Sequence, residues 1–169
     1  MSTIDVTPHQ LTPGLERFEE LARLEHHLAV MITRNKDGSP QVSVVNCGIV
    51  TDSVSGELRV AMVARRGRKL DNLRQRPIAT LVVRAGWEWI SVTGAVTIVD
   101  PAEEESGSRY RDLARAIFHA AGGVHRDLEV YDAVMIEEGR CPVLLRPERF
   151  STNPPGAEHQ DSDGKESEQ

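Results

Sequence analysis

Apolar and polar positions change rhythm several times along the chain, and each change predicts an element. Leu15, Phe18, Leu21, Ala22 and Leu24 recur at helical spacing, a stripe that runs to about His26. Thr12-Pro13 stands at its start. The threonine is a good N-cap, and proline has the φ that the first helical position needs. From Leu28 the texture turns strand-like. Leu28 to Thr33 is short and aliphatic, Asn35-Lys36-Asp37-Gly38 is a hairpin signal, and Gln41 to Val50 is the returning strand. Alternation there puts Val42, Val44 and Asn46 on one face and Ser43, Val45 and Cys47 on the other. A turn over Asp52–Gly56 leads into a strand over Glu57–Val63. A short helix follows around Lys69–Leu73 and stops before Pro77. Ile78–Val83 and Trp87–Val99 read as two further strands, the second with Gly94 as a bend or bulge. Asp100-Pro101 opens a helical stretch with Glu103, Glu104 and Glu105 at its positive end. Its apolar face is Leu113, Ala116, Ile117 and Ala120, and Gly122-Gly123 ends it. A second helix covers about Leu128–Glu138, and Pro142–Phe150 is the last strand. Six strands in hairpin order, with helices pushed to the periphery, predict a mainly β (α+β) antiparallel barrel or sheet. They do not alternate with helices, which argues against a Rossmann fold.

Composition narrows the class. A chain of 169 residues is of single-domain size. Its two cysteines, Cys47 and Cys141, lie far apart and in no metal-ligand spacing, so they read as reduced thiols. No apolar run is long enough to span a membrane, and the N-terminus has no signal-peptide pattern. A cytoplasmic protein is expected. Residues 1–12 are expected to be a flexible N-terminus, 13–150 the folded domain and 151–169 a disordered acidic tail. Five acids against Lys165 in that tail carry most of the net charge of −6.

The opposite bias lies at 65–76, where Arg65, Arg66, Arg68, Lys69, Arg74 and Arg76 face one acid, Asp71. The run follows a strand and precedes a short helix, so cations and free helix amides surround one point. That suits a phosphate or carboxylate; a solvated basic loop is the alternative. A near-neutral body with one concentrated basic patch points to a small anionic ligand rather than nucleic acid. Trp87 and Trp89, two apart on a strand, share a side. They are either a stacking surface for a flat cofactor or a core or subunit-interface pair. No HExxH, P-loop, GxSxG or GxGxxG occurs, and the scattered histidines give no metal site. Without a protein nucleophile, redox chemistry has to come from a cofactor.

Four blocks in order, HLAVMITRNKDGSPQVSVV (27–45), RRGRKLDNLRQRP (65–77), GWEWISVTGAVTI (86–98) and YDAVMIEEGRCPVLLRPERF (131–150), resemble the pyridoxamine 5'-phosphate oxidase-like FMN-binding split barrel. The closer resemblance is to its deazaflavin (F420)-dependent branch, common in actinobacteria. This implies a six-stranded antiparallel split β-barrel that works as a homodimer with cofactors at the interface. It implies a hydride transfer between reduced F420 and an unsaturated small-molecule acceptor. FMN as the cofactor, or binding of a cofactor or tetrapyrrole without turnover, are the alternatives. By the same resemblance Ser43, Val44, Val45, Asn46, Met62 and Ala64 line the ring. Arg65, Arg66, Arg68, Lys69 and Asn72 hold the phosphate and its tail. Trp87 reaches the cofactor from the partner subunit, and Trp89 is the other aromatic candidate. Ser43 and Asn46 are hydrogen-bond donors to the ring or acceptor, and no general acid stands out. Many relatives have an arginine where this chain has Gly67; Arg66 and Arg68 flank the gap. Six cations exceed the needs of one FMN phosphate and fit a longer polyanionic tail.

Overall fold

The computed structural model describes residues 12–103 and 107–153. Helix α1 spans Pro13–Leu24, and Thr12 caps it as the sequence predicts: its hydroxyl accepts from the Leu15 amide at 3.4 Å. Strands β1 (Leu28–Arg34) and β2 (Pro40–Thr51) form the hairpin, with Gly38 at φ +85° in its turn. That value costs glycine nothing and other residues strain. Then come β3 (Leu58–Arg65), α2 (Arg68–Gln75), β4 (Ile78–Ala85) and β5 (Glu88–Ile98). Helices α3 (Ser108–Ala120) and α4 (Leu128–Glu137) precede β6 (Arg140–Leu145) and β7 (Arg149–Thr152). Asp127 caps α4, accepting from the amides of Glu129 and Val130.

Every pairing is antiparallel. Around the barrel the order is β1, β2, β3, β6, β5, β4 and back to β1, so the six strands close on one another. Closure removes the open edges of the six barrel strands, and the four-residue β7, paired with β5, is left as a short edge outside them. Inside, Met31, Met62, Leu81, Ile90 and Leu145 are buried in one cluster with Phe18 and Leu21 of α1 and Leu70 and Leu73 of α2. A second cluster lies outside the barrel, where Tyr110, Leu113, Ile117 and Met135 cover Val50, Ala61 and Leu144. Among the described residues no helix is long and apolar enough to cross a membrane.

Four expectations shift. The last strand, expected unbroken over 142–150, is two. Its β6 half pairs Leu145 with Val96, whereas its β7 half pairs Phe150 with Val92, so one extra residue is accommodated between them. Pro147, which has no N–H, falls in that interruption. Gly94 lies opposite it, and the Arg146 carbonyl occupies the space a Cβ would need. Second, Asp100 opens only a short 3-10 turn at Pro101–Glu103, and α3 starts at Ser108 after Gly107 with φ +61°. Ala116 is exposed; the buried face of α3 is Tyr110, Leu113, Ala114 and Ile117. Third, Trp87 precedes β5 rather than lying in it. Fourth, the fold runs past Phe150. Ser151 and Thr152 belong to β7, and the Asn153 side chain accepts from the Trp89 amide and donates to the Trp87 carbonyl, both at 3.1 Å. Residues 1–11 and 154–169, expected to be flexible and disordered, lie outside the described residues.

The packing at Gly94 gives a direct expectation. Gly94→Ala pushes the 146–148 bulge off β5 and lowers stability by about 1–3 kcal/mol, the usual cost of overpacking. A fall in the urea midpoint with unchanged slope checks it.

Candidate functional site

The site begins with strand alternation. On β3, Ala61, Val63 and Arg65 share the outward face, while Met62 and Ala64 point into the core. Directly paired residues on antiparallel strands share a face. Ala61 pairs with Gly48 of β2 and Leu144 of β6, Val63 with Pro142, and Arg65 with Arg140. The outward surface of β2, β3 and β6 is therefore a row that changes character along its length. At one end α3 lies flat on Gly48, where a Cβ would come within 2.6 Å of the Ala120 backbone. In the middle the row opens into a cavity of about 450 Å³ over Val63. At the far end stand Arg65 and Arg140.

The cavity walls come from four places. Val63 and Asn46 form the floor, and Ile117 and Phe118 of α3 form one side. Tyr131 and Met135 of α4 form the other, with the Ala121–Gly123 turn closing the end. The Phe118 and Tyr131 rings lie 4.7 Å apart between centroids. Tyr131 donates to the Ala114 carbonyl at 3.1 Å, which fixes α4 against α3; burial pushes its pKa up. His26 reaches the rim because it and His27 are both left-handed, at φ +55° and +59°. Such values are uncommon outside glycine. Asn46 donates to the His26 carbonyl at 3.5 Å. The slot sets aromatic and aliphatic side chains beside polar ones, His26, Asn46, Tyr131 and Arg140, a mixed lining of the kind that orients a small molecule.

The basic segment reaches its mouth through Arg65, Arg66 and Lys69, which neighbour Arg140 and Gly139, while Arg68 borders a separate hollow with Asn35, Lys36 and Asp37. Of the six cations expected to act together, two have structural partners. Arg74 binds Asp100 at 2.9 Å, and Arg76 donates to the Arg34 carbonyl at 3.1 Å. Among the described residues Arg65, Arg66, Arg68 and Lys69 form no ion pair. Arg66 leans on the following loop, with its amide bonded to the Gly139 carbonyl at 3.2 Å. Gly67, at φ +145°, occupies the N-cap of α2 without a side-chain cap, so the first amides of that helix stay open to a ligand. Burial lowers the Lys69 pKa, and the Arg140 guanidinium lowers it further. Repulsion between neighbouring cations is what an anion would relieve.

The other predicted residues separate by face. Val44 and Asn46 are exposed on the outward side, and Asn46 alone of that segment lines the cavity. Ser43 and Val45 face inward; the Ser43 hydroxyl is buried without a hydrogen-bond partner. Met62 and Ala64 are wholly enclosed, so their side chains belong to the core and only their backbone is near the row. Asn72 is buried too. Its amide donates to Thr33 Oγ1 at 3.2 Å and Asn35 Oδ1 at 3.0 Å, tying α2 to β1. Trp87 is 60% exposed and Trp89 half-buried, and neither lines the cavity within one chain. Sequence reading missed Arg140, His26, Phe118 and Tyr131. The signal for Arg140 was the pairing of its strand with β3, which a single sequence does not display. Burial pushes the Cys47 thiol up to about 12, which makes it a poor nucleophile. Among the described residues no group of three His, Cys, Asp or Glu side chains is placed to hold a metal.

This arrangement of closed barrel, covered outer row and cationic mouth places the protein in a known class. The chain belongs to the pyridoxamine 5'-phosphate oxidase family, whose model matches residues 16–139. No curated protein sequence matches it. Solved structures share the fold at low identity. A conserved hypothetical protein from Mycobacterium tuberculosis has 18% identity and a TM-score of 0.56, with 89% of each chain covered. A pyridoxamine 5'-phosphate oxidase-related, FMN-binding protein from Nostoc punctiforme has 15% identity and a TM-score of 0.56, covering 85% of this chain and 84% of that one. HutZ, the heme storage protein from Vibrio cholerae, has 15% identity and a TM-score of 0.54, covering 84% and 94%.

Asn72 is assigned a structural role by its contacts. Asn72→Ala leaves the Thr33 hydroxyl short of a partner and costs about 1–3 kcal/mol of stability. Thermal melts of the variant with and without cofactor separate this loss from any loss of binding.

Proposed function

We propose that the protein is a homodimeric oxidoreductase that uses the deazaflavin F420 to pass a hydride to an unsaturated small-molecule acceptor. The observation that carries this reading is the set of cations Arg65, Arg66 and Lys69, which form no ion pair among the described residues and stand beside the Arg140 end of a cavity with aromatic walls, with Arg68 next to them at the start of α2. These residues fit the cofactor's two ends. The cations and the uncapped amides of α2 suit its anionic tail, and the slot beside Asn46 and Val63 suits a flat ring and its acceptor. When bound, the reduced deazaflavin supplies the hydride. The chain itself would anchor the tail, orient ring and acceptor between the α3 and α4 side chains and offer the Asn46 amide to polarise the acceptor. Of the two donors expected from sequence, Asn46 is the one on the cavity side; Ser43 faces the barrel interior.

The dimer has its own support. Beside the cavity, the outer face of β4, β1 and β2 exposes Ile78 (60%), Val30, Val42 (57%) and Val44 (62%). Val30 pairs with both Val44 and Val82, so the patch is continuous. Adjoining apolar residues of this kind on a soluble barrel mark an interaction surface. A second copy seated there is the means by which the exposed Trp87 would reach the partner's cofactor.

FMN is the second reading, favoured by the family and by the name of the Nostoc relative. A spectrum of the purified protein with F420 and FMN offered together tests both, followed by reduced F420 and an enone or quinone. Retention of F420 and loss of its reduced form with acceptor support the proposal. Retention of FMN alone replaces it with the second reading, and tight heme binding without turnover of either replaces both.

Lys69→Ala weakens cofactor binding by about 1.5–3 kcal/mol, the range for hydrogen bonds to charged groups; isothermal titration reads it. Affinity also falls as pH rises through the lowered pKa of Lys69, because the free lysine gives up its proton below the ordinary lysine range while a bound anion favours the charged form. Lys69→Arg removes that dependence. Val44→Asp converts dimer to monomer in sedimentation velocity.

A further inference from the structure

Arg140 was outside the expected basic run, and its surroundings set it apart from those cations. It is the first residue of β6 and lies directly across from Arg65, so the two side chains leave the sheet on the same side. It also lines the cavity, which none of Arg65, Arg66, Arg68 and Lys69 does. Its position is fixed from behind by Tyr110, whose hydroxyl donates to the Arg140 carbonyl at 2.7 Å. Among the described residues its side chain has one anionic partner. Nε meets Glu138 Oε2 at 2.5 Å, while its Nη groups make no hydrogen bond. Glu138 is two residues away across Gly139, which has φ +59°. Gly139 also packs under Arg66, with a Cβ there meeting Nε at 3.0 Å.

We propose that Arg140 is a second anion-binding residue, whose place is held by the Glu138 carboxylate until ligand arrives. The ligand's tail then carries two or more negative groups spread from the start of α2 to the cavity mouth, rather than one phosphate. A guanidinium presents five donors in a plane, and the Glu138 contact uses one of them. A ligand carboxylate or phosphate takes the free Nη edge or displaces Glu138 altogether. This inference rests on the reading that the basic segment holds an anion, and it says how far along the chain that anion extends.

The test uses the full-length protein, at constant ionic strength, with inorganic phosphate and tripolyphosphate as probes and thermal shift as the readout. For the unaltered protein tripolyphosphate is expected to bind about tenfold more tightly than phosphate, since charge-assisted contacts add. Arg140→Gln reduces that preference to about twofold or less and leaves phosphate binding nearly unchanged. Glu138→Gln, which releases the guanidinium, tightens tripolyphosphate instead. Circular dichroism checks folding, and if Arg140→Gln does not fold, the direction of the Glu138→Gln effect decides. The proposal is overturned by equal affinity for the two probes in the unaltered protein, by a loss in Arg140→Gln that is the same for both, or by weaker tripolyphosphate binding in Glu138→Gln. Arg140-dependent selectivity in a protein that retains neither F420 nor FMN overturns the oxidoreductase reading and leaves this one standing. Cofactor retention without that selectivity does the reverse.

Discussion

A strand shows only half its side chains to any one surface, and β3 turns that restriction into a division of labour. Met62 and Ala64 fill the barrel, so the strand is anchored where water does not reach. Ala61, Val63 and Arg65 are then held outward in fixed order, one pleat apart. The first lies beneath α3, the second floors the cavity and the third ends at the cation cluster. A register slip of one residue would put Arg65 in the core and Met62 in water. The interior packing and the layout of the outer row are thus one constraint, and the position of the cavity depends on the quality of the core beneath it.

The helices complete what the strands begin. Gly48 lets the end of α3 press directly on β2, which fixes where the Ala121–Gly123 turn emerges and so how long the slot is. Tyr131 locks α4 to the α3 backbone, and Asn72 locks α2 to β1. Each tie is a hydrogen bond between an element that bears site residues and one that is packed in place. Held on several sides in this way, the slot loses little freedom when a flat ligand enters, and less ordering entropy opposes binding.

Much of this was legible in the residues, and the rest was hidden for identifiable reasons. Alternation in Gln41–Val50 placed Val44 and Asn46 on the opposite face from Ser43 and Val45, as the structure has it. The cap at Thr12 and the hairpin at Gly38 follow from local chemistry and appear where expected, whereas β5 runs unbroken through Gly94 and the bulge lies on the facing 146–148 segment. By the same alternation the Met62 and Ala64 side chains belong to the core, so any contact of theirs with a ring would be through backbone; resemblance supplies a segment and not the face each residue takes. Reading 65–76 as one cluster failed because charge along a chain does not show who is already paired. Arg74 has Asp100, from a turn far along the sequence, and Arg140 joins from a strand that no local pattern links to β3. Both facts are tertiary. The break at Pro147 was the one local signal left unread.

The cation cluster itself runs against stability. Like charges placed directly across a strand pair repel, at about 0.2–1 kcal/mol for an exposed pair, and Arg65 and Arg140 are so placed with Lys69 close enough to feel the second. A surface selected for folding alone would set an acid opposite an arginine, as this chain does with Asp132 against Arg111 and Arg115. Here, among the described residues, Glu138 alone intervenes, and it meets one edge of one guanidinium. An anion that binds the folded state at a hundredfold above its dissociation constant contributes about 2.7 kcal/mol, several times the repulsion. An anion bound there would make the fold more stable than it is alone, and among the described residues the cluster's scarcity of acids is what such a reading requires.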